Sequence, residues 1–222
     1  YSEWEHTRRL EVESKTENKV GYFHLRAMGG ANFDEFVKGY YPIFDREGLI
    51  IDVRSNRGGN IDSWILNRLL RKAWFYWQSR AGKPYWNMQY AFRGHIVVLC
   101  NESTASDGEA FAEGIKQMDI GEVIGTRTWG GEIWLSSGNR LVDNGIATAA
   151  EMGVYTDKGE WIIEGHGVDP DIVVDNLPNA TYKGEDAQLE AAIRFLKKKM
   201  ADEPVVVPQF PPMPNKAFEY KK

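Results

Sequence analysis

Cysteine is almost absent from this chain of 222 residues: the single one, Cys100, excludes a disulfide within the chain. Cys100 ends the apolar run His95–Cys100, which predicts a buried strand with the thiol as a small core group. No apolar run approaches the roughly 18 residues of a membrane-spanning helix, so we expect no membrane insertion. An initiator methionine and a signal-peptide pattern are also missing from the first residues. We therefore expect a piece of a longer protein, whose compartment the sequence does not indicate.

Positive charge is scarcer than negative charge. The chain has 27 Lys and Arg residues against 32 Asp and Glu residues, a net charge of -5, with both signs interspersed. A protein that binds nucleic acid through phosphate contacts needs a basic surface. We therefore expect no nucleic-acid partner.

Short apolar runs alternate with amphipathic stretches along the chain. The runs predict strands at Val20–Leu25, Gly48–Val53, His95–Cys100 and Glu122–Gly125. The amphipathic stretches predict helices at Glu3–Glu13, Asn32–Phe44, Ile61–Trp74, Ala105–Met118 and Asp186–Met200. Such alternation is typical of an α/β fold with parallel strands. Prolines from Pro204 onward predict an extended tail.

Two junctions between a strand and a helix carry residues suited to catalysis. Asn56–Gly59 follows one central strand and Thr104–Gly108 follows the next. Because ligands collect at the carboxyl ends of parallel strands, we expect the two loops to converge. Ser106 at a helix start, with the amides of Gly59 and Asp107 nearby, fits a nucleophile with an oxyanion hole. The same residues fit an ordinary helix cap and an ordinary turn, and on spacing and residue type alone this structural interpretation is the preferred one.

Five ordered segments strengthen the catalytic interpretation. They resemble C-terminal-processing peptidases of the S41 type, and most closely the tricorn branch, at Val20–Leu25, Gly48–Gly59, Asn101–Glu109, Gly125–Gly131 and Gly167–Asp171. The resemblance extends from about Trp4 to Phe195. It implies a ClpP/crotonase-like spiral ββα core with mostly parallel strands, formed as one peptidase domain by residues 1–202, with the proline-rich tail at 203–222.

The resemblance assigns roles to individual residues. It implies that Ser106 is the nucleophile, that the amides of Gly59 and Asp107 are the oxyanion donors, and that Glu164 orients the general base as the glutamate of a tetrad. Without the resemblance, Glu164 fits a solvated loop carboxylate. No metal or cofactor is implied.

Substrate contacts follow from the same resemblance. It implies that Gly58, Gly130 and Gly131 bind substrate. It also places Trp77 where an Asp of tricorn selects basic residues before the scissile bond. A neutral indole cannot pair with Lys or Arg as a carboxylate does, so we expect no such preference here.

The general base is missing from the matching positions. Gly131 stands where the tail-specific branch has a lysine, and glycine has no group that accepts a proton. The tricorn branch takes its base from a Ser-His pair upstream of an inserted PDZ domain, and nothing before Val20 resembles that pair. The resemblance then implies a base-bearing segment and a PDZ domain upstream, a homo-oligomer and a cytoplasmic location, and the fragment alone is expected to be inactive.

Other residues leave alternatives open. His166 neighbours Glu164 and is the best local base, although a loop histidine is the preferred interpretation, and His24 fits a satisfied strand histidine. Arg54 and Arg57 flank the glycine pair and fit either a substrate carboxylate or an ion pair, with Asp52 as partner. A peptide- or ligand-binding module that has lost catalysis is the competing functional hypothesis.

Overall fold

A computed structural model describes residues 1–135, 138–213 and 215–218. Helices and strands alternate along most of the chain. They are α1 (Ser2–Lys15), β1 (Val20–His24), α2 (Gly30–Tyr40), β2 (Gly48–Asp52), α3 (Asp62–Leu69), β3 (Tyr76–Trp77), β4 (Tyr85–Trp86), β5 (His95–Cys100), α4 (Asp107–Gln117), β6 (Glu122–Gly125), β7 (Trp134–Leu135), β8 (Ala150–Met152), β9 (Ile172–Val173), α5 (Pro178–Tyr182) and α6 (Ala187–Asp202).

Five strands form one parallel sheet in the order β1-β2-β5-β6-β9. Its register pairs Ile50 with Tyr22 on one side and with Val97 on the other. Because the sheet is covered on both faces, its central strands are apolar at nearly every position, as parallel sheets require. The predicted α/β class with mostly parallel strands is confirmed.

Alternate strand residues enter two separate cores, since successive side chains point to opposite faces. Ile51 and Val98 join the core that includes Phe111 of α4. Ile50 and Val97 join the core that includes residues of α1 and α6. Each buried Val, Ile or Leu side chain stabilises the fold by about 1.5–3 kcal/mol. The two cores hold the sheet rigidly and fix the loops that leave its carboxyl ends.

Helix α3 is shorter than the sequence predicts. The helix ends at Leu69 and not at Trp74, whose side chain is 72% exposed. The aromatic residues that follow pack on one another instead, with ring centroids 4.4 Å apart for Trp74 and Phe75. They lead into the antiparallel hairpin of β3 and β4. The apolar spacing read as a helix therefore comes from a cluster of rings, and the prediction for residues 70–74 was wrong.

Two further features concern the surface. Residues 204–213 form no regular helix or strand and are mostly exposed. Across the part of the chain that the structure describes, no helix is both long enough and apolar enough to cross a bilayer.

Candidate active site

The two loops predicted to converge do meet at the carboxyl edge of the sheet. The Ala105 N–H donates to the Asn56 carbonyl at 2.8 Å. Gly58 lies directly against Ser106, because a Cβ added to Gly58 would fall 2.5 Å from Ser106 Cβ and 2.9 Å from its Oγ. With φ of +79°, Gly58 also has a backbone conformation that favours glycine. The loop after β2 therefore packs against the side chain of the candidate nucleophile.

Asn56 fixes the shape of that loop from within. Its side chain is fully buried. Its Nδ2 donates to the Leu25 carbonyl at 2.6 Å, and its Oδ1 accepts from the Gly58 N–H at 2.8 Å. The loop is thereby attached both to the end of β1 and to its own glycine pair.

The amides expected to form the oxyanion hole are free. Gly59 packs so closely on Met28 that an added Cβ would lie 1.9 Å from the Met28 carbonyl oxygen. The Met28 carbonyl accepts from the Asn60 N–H, and the Met28 N–H donates to the Gly58 carbonyl. The N–H of Gly59, between them, has no partner among the residues described. Asp107 is the first residue of α4, where a backbone N–H has no partner within the helix. Both N–H groups are available to a ligand.

Ser106 does not have the backbone of an ordinary helix cap. Its φ and ψ are 55° and -131°, whereas a capping serine normally has extended angles. A non-glycine residue held at positive φ costs about 1–3 kcal/mol and is concentrated at functional sites. Strained turns between a strand and a helix present the nucleophilic serine in α/β-hydrolases. The conformation favours the catalytic interpretation over the capping one.

Glu109, which the sequence analysis did not select, holds this strained turn. Its fully buried carboxylate accepts from the Ser106 N–H at 2.9 Å. It also accepts from Thr128 Oγ1 at 2.5 Å, from the Gly130 N–H at 2.7 Å and from the Gly131 N–H at 2.9 Å. The Ser-x-x-Glu spacing of a capping box was the signal that could have identified it. Glu109 joins the candidate nucleophile to the loop expected to bind substrate.

Glu164 binds the far end of the same loop. Its Oε2 accepts the backbone N–H groups of Glu132 at 2.7 Å and Ile133 at 2.8 Å. The Gly165 N–H donates to the Gly130 carbonyl at 2.9 Å. Glu164 is exposed, and none of the contacts described for its carboxylate uses Oε1. Contacts therefore connect Ser106 to Glu164 through Glu109 and the loop of residues 128–133.

Glu132 is a second residue that the sequence did not reveal. Its side chain is 4% exposed, and within the described chain its Oε2 has no hydrogen-bond partner. Burial, together with the nearby carboxylates of Asp107 and Glu109, raises the pKa of Glu132 to about 8. The side chain is therefore protonated at neutral pH. No short motif marks such a residue, because its neighbours come from distant parts of the chain.

Asp107 also has an altered carboxyl group. Burial is the main cause that raises the pKa of Asp107 to about 6, with Asp62 adding to it. Its Oδ2 accepts from the Ile61 N–H at 2.7 Å and from the Asp62 N–H at 3.1 Å, so the side chain caps α3. The side chain thus orients α4 while the backbone N–H stays free.

The remaining candidates lie elsewhere. Trp77 has ring contacts inside the hairpin, with Phe75 at 5.0 Å and Tyr85 at 6.3 Å, and no described contact joins it to the Ser106 loop. Its role as a pocket residue stays a prediction. His166 Nε2 pairs with Asp169 at 2.8 Å on the exposed surface.

The histidine and arginine of the β1 and β2 ends are satisfied internally. His24 is buried, with Nδ1 bonded to Tyr1 Oη at 2.6 Å and Nε2 bonded to the Arg54 carbonyl at 2.9 Å. Arg54 forms ion pairs with Asp52 at 2.6 Å and with Asp186 at 2.8 Å. The ion-pair interpretation of Arg54 is confirmed. Arg57 has no ion pair within residues 1–135, 138–213 and 215–218.

Comparison with known proteins identifies the family of the chain. The family model described as Peptidase family S41 matches residues 19–174. Tricorn protease of Thermoplasma acidophilum is 32% identical over 213 residues, which are 95% of this chain and 20% of the relative. A tricorn protease homolog of Saccharolobus solfataricus is 36% identical over 200 residues, 90% of this chain and 19% of the relative. The chain thus spans about a fifth of the length of these relatives.

A solved structure extends the similarity to three dimensions. The crystal structure of the tricorn protease superposes with a TM-score of 0.85 at 31% identity, over 89% of this chain and 19% of that one. The residues matched by the family model, 19–174, include the five strands of the sheet and Ser106. The chain therefore belongs to peptidase family S41, and its relatives in that family include the tricorn proteases.

Proposed function

We propose that the chain is the nucleophile-bearing part of a tricorn-type serine peptidase that hydrolyses peptide bonds in peptides or proteins. One observation supports this most strongly. Ser106 is held at positive φ against Gly58, and the free N–H groups of Gly59 and Asp107 lie on the two converging loops. Members of family S41 are serine hydrolases, and the relatives named above are proteases.

In the proposed reaction, Ser106 Oγ attacks the substrate carbonyl carbon while its proton passes to a general base. The oxygen of the tetrahedral intermediate accepts hydrogen bonds from the N–H groups of Gly59 and Asp107. Collapse of the intermediate breaks the C–N bond, gives the proton to the leaving amine and leaves an acyl-enzyme on Ser106. Water then attacks the ester, and the base again takes and returns a proton.

The base is proposed to come from outside the 222 residues. Gly131 has no side chain for the task, and His166 is engaged with Asp169. Glu164 is proposed to orient the incoming histidine through a hydroxyl group, with Oε1 available while Oε2 holds the loop. Gly58, Gly130 and Gly131 are proposed to contact the substrate backbone. An upstream PDZ domain, a base-bearing segment and a homo-oligomer belong to the same proposal.

A fluorophosphonate probe tests the assignment of nucleophile and base separately. We expect it to label the full-length protein, to label Ser106→Ala not at all, and to label the isolated chain of residues 1–222 at least about a hundredfold more slowly. Equal labelling of the isolated chain would place the base within it. If Ser106→Ala is labelled like the unchanged protein, Ser106 is not the nucleophile.

The absence of a base among the described residues also favours the competing function, a binding module on the same fold. That alternative predicts no labelling of either protein and no peptide hydrolysis, together with measurable binding of peptides. Calorimetric titration of peptides into the unlabelled protein then distinguishes a binding module from a misfolded sample.

A further inference from the structure

Acidic side chains are missing from one long part of the chain. Between Asp62 and Glu102 the sequence contains no Asp or Glu. The same stretch contains six cationic residues: Arg68, Arg71, Lys72, Arg80, Lys83 and Arg93. It also contains Trp64, Trp74, Trp77 and Trp86. We call residues 63–101 the basic aromatic segment. Since the whole chain carries -5, the rest of the protein is more acidic than the total suggests.

A cavity of about 540 Å³ lies at the base of this segment. It is open to solvent and is lined by the end of α3, by the residues that lead into β5, by the turn after α4 and by the chain after α6. These elements meet at the amino-terminal edge of the sheet, whereas Ser106 lies at the carboxyl edge. The six residues of β5 separate the two edges by roughly 17–20 Å, so the cavity is distinct from the candidate active site.

Three cations without an ion pair line the cavity. Arg71, Lys72 and Arg93 face it, and none of them pairs with an acidic group in the described part of the chain. Arg93 is held in place by rings, since its Cζ lies 3.9 Å from the centroid of Trp86 and 5.7 Å from that of Tyr76. A guanidinium fixed by stacking loses little freedom when it binds an anion.

The acidic groups around the cavity do not neutralise these cations. The Glu203 carboxylate pairs with Lys199 at 2.6 Å. The backbone carbonyl oxygen of Glu203 lies 2.7 Å from His95 Nε2. Asp119, at the exposed rim, is the other acidic residue of the lining. The lining of the cavity therefore carries an excess of positive charge. In addition, the buried Nε of Arg93 has no hydrogen-bond partner among the residues described.

One wall of the cavity is irregular backbone. Pro204, Val205 and Val206 follow α6, and within the described residues the N–H groups of Val205 and Val206 make no backbone hydrogen bond. Backbone N–H groups without a partner can donate hydrogen bonds to the carbonyl groups of a bound peptide. Leu69, Phe92 and Ile96 give the cavity an apolar side. The site thus offers charge for acidic side chains, backbone groups for a main chain and apolar surface for intervening residues.

We propose that this cavity binds a short acidic peptide segment, at a site remote from Ser106. A nucleic acid is less suited to it. The volume is that of a small-ligand pocket and not of an extended track for phosphates. The acidic remainder of the protein also repels a long polyanion. The site would hold an acidic segment of a partner protein while the edge of the sheet that carries Ser106 stays open.

Calorimetric titration of a capped hexapeptide of alternating glutamate and valine tests the proposal, in the Ser106→Ala background to prevent hydrolysis. We expect the double variant R71Q/K72Q to bind at least tenfold more weakly, and affinity to fall as salt rises. R80Q/K83Q is the matched control, because it removes two cations of the same segment that do not line the cavity. It should bind within about twofold of the parent protein.

Two further measurements keep the outcome decisive. The same peptide with glutamine in place of glutamate should bind at least tenfold more weakly to the parent. Since Lys72 is exposed, K72Q alone retains the fold and should weaken binding about threefold. The proposal is overturned if R71Q/K72Q binds the peptide like the parent, or if the control R80Q/K83Q weakens binding as much as R71Q/K72Q does. It is also overturned if a single-stranded oligonucleotide binds through Arg71 and Lys72 while the acidic peptide does not.

Discussion

The contact between Gly58 and Ser106 leaves no room for a side chain. A methyl group on Gly58 would lie 2.5 Å from Ser106 Cβ, and its φ of +79° is unfavourable for alanine. We expect G58A to displace the serine and to lower kcat/KM of the full-length protein at least a hundredfold. Gly159 is a matched control, since its φ is +81° with nothing within 4 Å of an added Cβ. G159A should cost about 1 kcal/mol in unfolding free energy and leave kcat/KM within twofold.

Protonated Glu132 makes stability depend on pH with a definite sign. Because its pKa is raised from 4.5 in the unfolded chain to about 8 in the folded one, the folded state loses stability as pH rises from about 4.5 and levels off above about 8. The E132Q variant lacks this loss. We expect it to be more stable than the parent by roughly 4–5 kcal/mol at pH 8.5, at about 1.4 kcal/mol per pKa unit, with little difference at pH 4.

Urea unfolding between pH 4 and 9 measures that difference. The E160Q variant at an exposed glutamate is the control and should follow the parent curve. If the unfolding free energies of E132Q and the parent differ by the same amount at every pH, the pKa of Glu132 is not raised in the folded protein.

At the scale of elements, Glu109 couples α4 to the loop of residues 128–131. Glutamine at this position keeps one acceptor oxygen but turns an N–H₂ group toward backbone N–H donors. We expect E109Q to lower the unfolding free energy by about 2–4 kcal/mol, since hydrogen bonds to a charged group contribute about 1.5–3 kcal/mol each. The amides of Gly130 and Gly131 should exchange with deuterium at least tenfold faster.

E113Q on the same helix serves as its control, because among the residues described the Glu113 side chain bonds only with Gln117, one turn further along the helix at an exposed position. It should leave both exchange rates unchanged. If E109Q loses stability while the exchange of Gly130 and Gly131 stays slow, Glu109 supports the helix alone and not the loop.

The sequence predicts elements that are stabilised locally or buried on both faces, and it fails where distant contacts decide. Strand β5 was placed correctly because a short, β-branched, apolar run has one stable location in a parallel sheet. The end of α3 was misplaced, since ring packing in the hairpin of β3 and β4 mimics a helical spacing. Glu109 has a local motif that could have revealed it, whereas the carboxylates around Glu132 come from three separate loops and helices.

At the scale of the whole molecule, Arg54 joins the carboxyl edge of the sheet to the last helix. Its guanidinium joins Asp52 at the end of β2 to Asp186, which caps α6 by accepting from the Leu189 N–H. Burial opposes ionisation of both carboxyl groups, yet Arg54 holds the pKa of Asp52 and of Asp186 below their ordinary values. Stability from this network is present at neutral pH and is lost as pH falls through those lowered pKa values.

Removing the arginine leaves the fully buried Asp52 carboxylate without its cation, whereas Asp186 keeps an ion pair with Arg8 at 3.3 Å. We expect R54M to lower the unfolding free energy by about 3–5 kcal/mol at pH 7, measured by urea denaturation, because an unpaired buried charge is far more costly than a lost surface pair. R127M removes an ion pair with Asp169 whose side chains are 55% and 53% exposed, and it should cost under about 1 kcal/mol. The triple variant R54M/D52N/D186N should recover part of the loss. Equal effects of R54M and R127M would show that the network does not join the sheet to α6.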